Sequence, residues 1–210
     1  MMKSFDKASI LEAESFFRRD LINSLSGYKS LNLIGTKNNE GKTNLSPFSQ
    51  VFHIGATPPL VGILFRPHTV ERHTLENIIE TGFFTLNHVT AEFYKQAHQT
   101  AARYEGSEFE ATGLEEFYIE GVHAPFVASS PLQVGCQLVE FQTLQVNGAV
   151  MVIGSIEYIR VDEKGLRADG SLDLNALGTV TVSGLDEYHI GKRLAKLSYP
   201  KPGKELEELL

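Results

Sequence analysis

The residues best suited to chemistry follow an apolar run, Leu60 to Phe65, that is typical of a buried strand. Arg66 and Arg72 come soon after that run, and Thr74 stands at the start of an amphipathic helical pattern. Guanidinium groups match the oxygens of a phosphate, and the free amides of a helix N-terminus favour an anion. The spacing therefore predicts a phosphate site where the strand ends and the helix begins.

The segment upstream, Asn44 to Ser49, is predicted to be a loop that offers hydrogen-bond donors to a second part of the same ligand. Asn44, Ser46 and Ser49 supply amide and hydroxyl groups, and Phe48 adds a flat apolar surface that suits an aromatic ring. Solvated arginines, together with a turn whose side chains bond to its own backbone, give the same pattern. The residues alone leave both interpretations open.

Three short motifs occur in an order that resembles the flavin reductase-like family of FMN-binding split barrels. They are N-L-S-P-F-S at Asn44–Ser49, P-P-L-V at Pro58–Val61, and H-T-L-E-N-I-I-E-T-G-F-F at His73–Phe84. The resemblance extends from Phe17 to about Pro202. It departs from the family pattern at His73, where the family usually has Asp.

The resemblance implies that FMN is the cofactor and that one set of residues binds it: Asn44, Ser46, Pro47, Phe48, Ser49, Arg66, Arg72 and Thr74. The phosphate is expected against Arg66, Arg72 and Thr74, and the ring against the upstream loop. No catalytic side chain is assigned, because the flavin carries the chemistry. The one candidate is His189, in D-E-Y-H-I-G-K-R, as a contact for the nicotinamide or the substrate.

The function implied by the resemblance is that of a flavin reductase-like oxidoreductase. Electrons would pass from NADH or NADPH through FMN to a small-molecule or protein acceptor. Two alternatives stay open. One is a flavoredoxin-like electron carrier without a nicotinamide site. The other is a relative that no longer binds flavin, which is retained because His73 replaces the usual Asp. A homodimer is expected, because in such barrels a second subunit completes the flavin site.

Other kinds of chemistry have little support in the sequence. There is no G-x-S-x-G, G-x-G-x-x-G or G-x-x-x-x-G-K-[ST] motif, which argues against a serine hydrolase, a Rossmann site and a P-loop. The seven histidines form no H-E-x-x-H or H-x-H pattern, and no carboxylate stands at a recognised ligand spacing from them. No metal site is expected.

Composition limits the partners and the compartment. A net charge of −7 argues against non-specific nucleic-acid binding, which depends on neutralising phosphates. The single cysteine, Cys136, excludes an internal disulfide and is expected to be a small core residue. No apolar span of membrane length occurs, and the N-terminal segment is too charged for a signal peptide, so no membrane association and a cytoplasmic location are expected.

Residues 1–210 are expected to form one domain, mainly β with peripheral helices, built as a split β-barrel. Two turn signals carry the expectation of antiparallel hairpins: Asn38–Gly41, and Asn147–Gly148 between strands at 131–146 and 149–161. A helix over Ser9–Leu25, with a capping box at Ser9 and Glu12, is expected to pack on the barrel. Four further segments complete the prediction: helical at 91–104, a loop at 106–114, a short helix at 184–193 and an extended tail at 197–210.

Overall fold

Antiparallel strand pairing organises the computed structural model, which describes residues 1–209. The helices are α1 Lys7–Glu12, α2 Ser15–Ser24, α3 His73–Thr81, α4 Tyr94–Gln99 and α5 Glu108–Thr112. The strands are β1 Lys29–Ser30, β2 Asn32–Lys37, β3 Thr43–Phe48, β4 Val51–Ala56, β5 Pro59–Phe65, β6 Phe83–His88, β7 Glu116–Phe117, β8 Phe126–Val127, β9 Leu132–Thr143, β10 Val150–Val161, β11 Val180–Ser183 and β12 Glu187–Ile190. Leu210, the last residue of the expected tail, lies outside the described residues.

The main sheet has seven strands in the order β3-β2-β6-β9-β10-β5-β4. Its two edge strands, β3 and β4, are consecutive in the chain, and only Ser49 and Gln50 separate them. A flat sheet of seven strands holds its edges far apart, since neighbouring strands lie about 4.8 Å from each other. Two residues cannot span that width, so the sheet curls until its edges approach, and it forms a barrel that is left open between β3 and β4.

The two predicted hairpin turns are confirmed. β2 and β3 pair through the turn at 38–41, where Asn38 Oδ1 accepts the amide of Lys42 at 2.8 Å and Gly41 has φ 88°. β9 and β10 pair across Asn147–Gly148, with Gly148 at φ 74°. Glycine adopts this left-handed backbone without the steric cost that a Cβ adds, which explains why both signals were readable in the sequence.

The core lies on both faces of the main sheet. Adjacent residues of β2 show this directly, because Leu33 and Ile34 are both fully buried but belong to different apolar clusters. The cluster around Ile34 includes Ile78 of α3 and Cys136, which is 1% exposed. Burial raises the pKa of the Cys136 thiol, and the expectation of a small core residue is confirmed.

The expected N-terminal helix is wrong in two respects. Two short helices, α1 and α2, replace it, because Asp6 and Glu14 each accept backbone amides and so start a new helix; the Ser9–Glu12 capping box does not form. Neither helix contains a buried residue, and Phe16 is 63% exposed. The apolar stripe, which was expected to pack on the barrel, therefore buries none of the residues of α1 or α2.

Three other local predictions also need correction. The segment 184–193 is not a helix, because residues 187–190 pair with 180–183 as the β11–β12 hairpin. Only Tyr94–Gln99 is helical within 91–104. The expected loop at 106–114 contains α5, which begins at an N-cap, Ser107, and ends at a left-handed Gly113. No helix among residues 1–209 is long and apolar enough to span a membrane.

Candidate functional site

A cavity of about 690 Å³ lies where β3, the end of β5 and the start of α3 meet. All eight residues predicted to bind the cofactor line it: Asn44, Ser46, Pro47, Phe48, Ser49, Arg66, Arg72 and Thr74. Glu71 and His73, beside Arg72, line it as well, and more distant parts of the chain contribute Asn23, Arg103, Tyr104, Glu108, Gly184 and Leu185. The two sequence segments that were expected to form one site thus lie on one cavity.

The upstream segment of this site is a strand, which corrects the expected loop. Residues 43–48 form β3, paired with β2 along its whole length. Alternation along a strand puts Asn44, Ser46 and Phe48 on one face, while Leu45 points into the opposite core cluster. Pro47, which has no amide to donate, is tolerated because β3 is an edge strand.

One hydrogen bond joins the two segments. Asn44 Nδ2 donates to Thr74 Oγ1 at 2.9 Å, and both residues are buried. Because Thr74 Oγ1 accepts here, its own hydroxyl hydrogen remains for another acceptor, such as a ligand oxygen in the cavity. The strand and the helix N-terminus are therefore held at a fixed distance at the point where the anion was predicted.

The first turn of α3 has the features of an anion site. Arg72 is the N-cap residue, and its amide donates to Glu76 Oε1 at 3.0 Å. The next three amides, those of residues 73–75, have no acceptor among residues 1–209. Unpaired amides at a helix N-terminus carry partial positive charge and attract an anion.

The two predicted arginines are held differently. The guanidinium of Arg72 is partly buried and donates from Nε and Nη2 to the carbonyl oxygen of Pro67, at 3.3 and 3.2 Å. This contact fixes the group beside the start of α3 and leaves Nη1 for another acceptor. Arg66 lies exposed at the rim of the cavity. The arrangement provides one positioned cation and one exposed cation for a polyanionic group.

Glu108 is the site residue that sequence reasoning missed. It is 8% exposed, lines the cavity and accepts the amide of Leu45 at 3.0 Å through Oε2. The amide of an edge strand needs such an acceptor when the edge is buried. The family resemblance expected residues 108–114 to form a loop near the flavin, but it did not predict this contact, which joins residues 63 positions apart.

His189 is not brought together with the other predicted residues. It lies on β12, where its Nε2 is 2.8 Å from Ser183 Oγ and its ring packs 4.7 Å from the ring of Tyr28. It is not among the cavity-lining residues that the structure describes. The hairpin that carries it does reach the cavity, but through its tip, at Gly184 and Leu185.

A second cavity, of about 610 Å³, contains none of the predicted site residues. Its basic side chains already have partners. Arg160 donates to Gln133 Oε1 at 3.1 Å, and Lys164 forms an ion pair with Asp162 at 3.1 Å. The first cavity, with its unpaired helix amides, is therefore the candidate functional site.

A curled antiparallel sheet that stays open at one seam, with a cleft suited to an anion, defines a split-barrel protein. The chain belongs to the flavin reductase-like family, because residues 28–175 match the profile of the flavin reductase like domain. Its fold is accordingly a mainly β split barrel with peripheral helices, as the sequence predicted.

Solved structures and a sequence relative agree with this assignment. A presumed flavin reductase with a split barrel domain from Shewanella frigidimarina NCIMB 400 is 50% identical, with TM-score 0.91 over 95% of this chain and 100% of that one. Flavoredoxin of Desulfovibrio vulgaris (Miyazaki F) is 26% identical, with TM-score 0.72 over 93% and 97%. An uncharacterized protein of Halalkalibacterium halodurans is 29% identical over 80% of this chain and 83% of its own length.

Proposed function

We propose that this chain binds FMN in the cavity between β3 and α3 and acts as an oxidoreductase that passes electrons from NADH or NADPH to an acceptor. The observation that carries the proposal is the Asn44–Thr74 hydrogen bond, which holds the predicted ring segment and the predicted phosphate segment on one cavity. The family, whose members include proteins described as flavin reductases and flavoredoxins, supports a flavin as the ligand.

The residues present fit a flavin mononucleotide. A volume of about 690 Å³ is in the range of small-molecule sites. The three unpaired amides of α3 lack an acceptor among residues 1–209, and a phosphate would supply one. The apolar surface of Phe48 lies on the same cavity, at the end away from α3 along β3.

Each residue would have a binding role and none would need to act as an acid or base. Arg72, Arg66 and the hydroxyl of Thr74 would offset the charge of the phosphate. The polar side chains of β3 would hold the ring edge and set its orientation. When bound, FMN supplies the hydride and electron chemistry, and the protein contributes position and electrostatics.

A second candidate function is that of an electron carrier, which receives electrons from a protein and does not use a nicotinamide. The likeness to flavoredoxin favours it, because that protein matches 93% of this chain. The two candidates share the flavin site and differ only in the donor. A direct reaction with nucleotide therefore distinguishes them.

The first test is the visible absorption spectrum of protein purified without added flavin, followed by anaerobic addition of NADH and then NADPH. A flavin band that either nucleotide bleaches supports the reductase, and a band that neither bleaches favours the carrier.

The affinity for FMN tests the binding site itself. Arg72→Ala is expected to weaken FMN binding about tenfold or more, because a charge-assisted hydrogen bond contributes about 1.5–3 kcal/mol.

The control is Lys164→Ala, which removes an exposed cation paired with Asp162, away from the candidate site. Its FMN affinity is expected to match that of the unmodified chain. Failure of the chain to bind FMN under any condition, or equal affinity in Arg72→Ala and the unmodified chain, contradicts the proposed site.

A homodimer is part of the proposal, and the surface of the chain supports it. The accessible surface is 13143 Å². A compact monomer of 23.3 kDa would expose about 9,700 Å² by the usual scaling of surface with mass. The excess, about 3,400 Å² on one chain, is surface that the chain does not pack against itself and that a second subunit would cover in part.

A further inference from the structure

Two histidines and two glutamates converge beside the start of α3, on a segment whose sequence repeats itself. Residues 68–76 read H-T-V-E-R-H-T-L-E, so His68, Glu71, His73 and Glu76 occupy matching places in two H-T-x-E units around Arg72. The absence of a carboxylate at ligand spacing, inferred from the sequence, is therefore wrong. The ligand atoms of Glu71, His73 and Glu76 all lie within 4.8 Å of one another.

The distances in this cluster are close to those of a metal centre. His68 Nε2 lies 3.2 Å from Glu76 Oε1, and His73 Nε2 lies 3.3 Å from Glu71 Oε2. Ligand atoms bound at about 2.0–2.1 Å to a tetrahedral Zn²⁺ are separated by about 3.3 Å. Two edges of such a tetrahedron are therefore present, His68–Glu76 and His73–Glu71.

We propose that His68, Glu71, His73 and Glu76 bind a divalent transition metal of the Zn²⁺ class. Two imidazoles and two carboxylates favour Zn²⁺ or Co²⁺ over Mg²⁺ and Ca²⁺, which select oxygen ligands. The two carboxylates balance the charge of the ion. Glu71 and His73 also line the candidate flavin cavity, so the metal site adjoins the flavin site, although binding of the ion does not depend on the proposed function.

Two simple ion pairs explain the cluster less well. The side chains are between 39% and 75% exposed, and pairs of this kind contribute little to stability. One ligand is also oriented by the backbone, because Glu76 Oε1 accepts the amide of Arg72 at 3.0 Å. Metal ligands are typically positioned by such outer hydrogen bonds.

The metal would join the segment before α3 to the helix itself. His68 and Glu71 precede the helix, whereas His73 and Glu76 lie in its first turn. Arg72 stands between the ligands and lines the cavity. Binding of the ion would therefore fix the backbone that carries this arginine.

The test uses the full chain, treated with a chelator, dialysed and titrated with Zn²⁺ by calorimetry, and with Co²⁺ by visible absorption. One tightly bound ion per chain is expected, with the visible bands of a four-coordinate Co²⁺ centre. His73→Ala and Glu76→Gln are each expected to weaken binding at least tenfold. Circular dichroism and melting curves show whether these surface variants keep the fold.

Matched controls are His53→Ala, at an exposed position on β4, and Glu80→Gln, at an exposed position near the end of α3. Both are expected to bind the metal as the unmodified chain does. The absence of stoichiometric binding, or binding that folded His73→Ala and Glu76→Gln retain unchanged, overturns the proposal.

Discussion

Thr74 and Glu108 show how single polar residues position the candidate site. Each is buried and each bonds to β3, Thr74 through the side chain of Asn44 and Glu108 through the amide of Leu45. The first contact holds the helix N-terminus against the strand. The second satisfies a backbone donor at an edge of the sheet that water does not reach.

Glu108→Ala is expected to destabilise the fold by about 1–3 kcal/mol, because the amide of Leu45 would remain buried without an acceptor. Urea unfolding followed by circular dichroism measures the change in free energy. Glu110→Ala, on the exposed side of the same helix, is the matched control and is expected to be near neutral. Equal stability of the two variants contradicts the role assigned to Glu108.

The roles of the eight predicted site residues could be inferred from the sequence, whereas the role of Glu108 could not. Arginines and a threonine after an apolar run carry local chemistry that indicates an anion, and the family motifs supplied the rest of the set. A buried acceptor such as Glu108 acts across 63 residues, and its type does not distinguish it from a solvated glutamate. His189 illustrates the reverse, since a suggestive residue type lies outside the cavity wall.

The sequence predicts some of the helices and strands of this chain better than others. The N-N-E-G turn at 38–41 and the N-G turn at 147–148 each end in a glycine that adopts positive φ, so the β2–β3 and β9–β10 hairpins were predictable. The β11–β12 hairpin was not, because its strands are four residues long and depend on pairing with each other and with β1. The helices before β1 were misjudged because their caps, Asp6 and Glu14, compete with the longer apolar pattern.

The close approach of Gly35 in β2 to Pro125, just before β8, can be tested by mutation. A Cβ at Gly35 would clash with the carbonyl oxygen of Pro125 and lie 2.6 Å from Thr85 Oγ1, and the backbone cannot yield easily. Gly35→Ala is expected to destabilise the fold by about 1–3 kcal/mol, as overpacked substitutions do. Thermal unfolding measures this shift.

Gly191→Ala is the control, because nothing lies within 4 Å of its Cβ position. Its melting temperature is expected to stay within the error of the measurement. A Gly35→Ala variant as stable as Gly191→Ala shows that β2 can move away from the 125 segment.

The whole molecule exposes apolar side chains at both ends of the chain. Phe16 and Leu25, near or on α2, are 63% and 71% exposed, and Leu194 and Tyr199 in the C-terminal segment are 95% and 83% exposed. Together with the excess surface, these residues indicate two terminal segments that leave large apolar side chains exposed on one subunit. In the proposed homodimer, a second copy of the chain would cover them.

Sedimentation equilibrium is expected to give the mass of a dimer for the unmodified chain. Phe16→Asp is expected to shift the population to monomer, because a charge on an apolar interface lacks a partner. Val146→Asp, at an 88% exposed position beside the β9–β10 turn, is the control and is expected to remain dimeric. A monomeric unmodified chain refutes the proposed assembly, and dimers in all three samples exclude α2 from the interface.

The cavity takes its wall from Asn23 near one end of the chain and from Leu185 near the other. Pairings between residues so distant in sequence form late and slowly, since long loops must close first. During synthesis, the wall stays incomplete until the β11–β12 hairpin has left the ribosome. The complete cavity wall therefore forms only after both of these distant segments have folded onto the barrel.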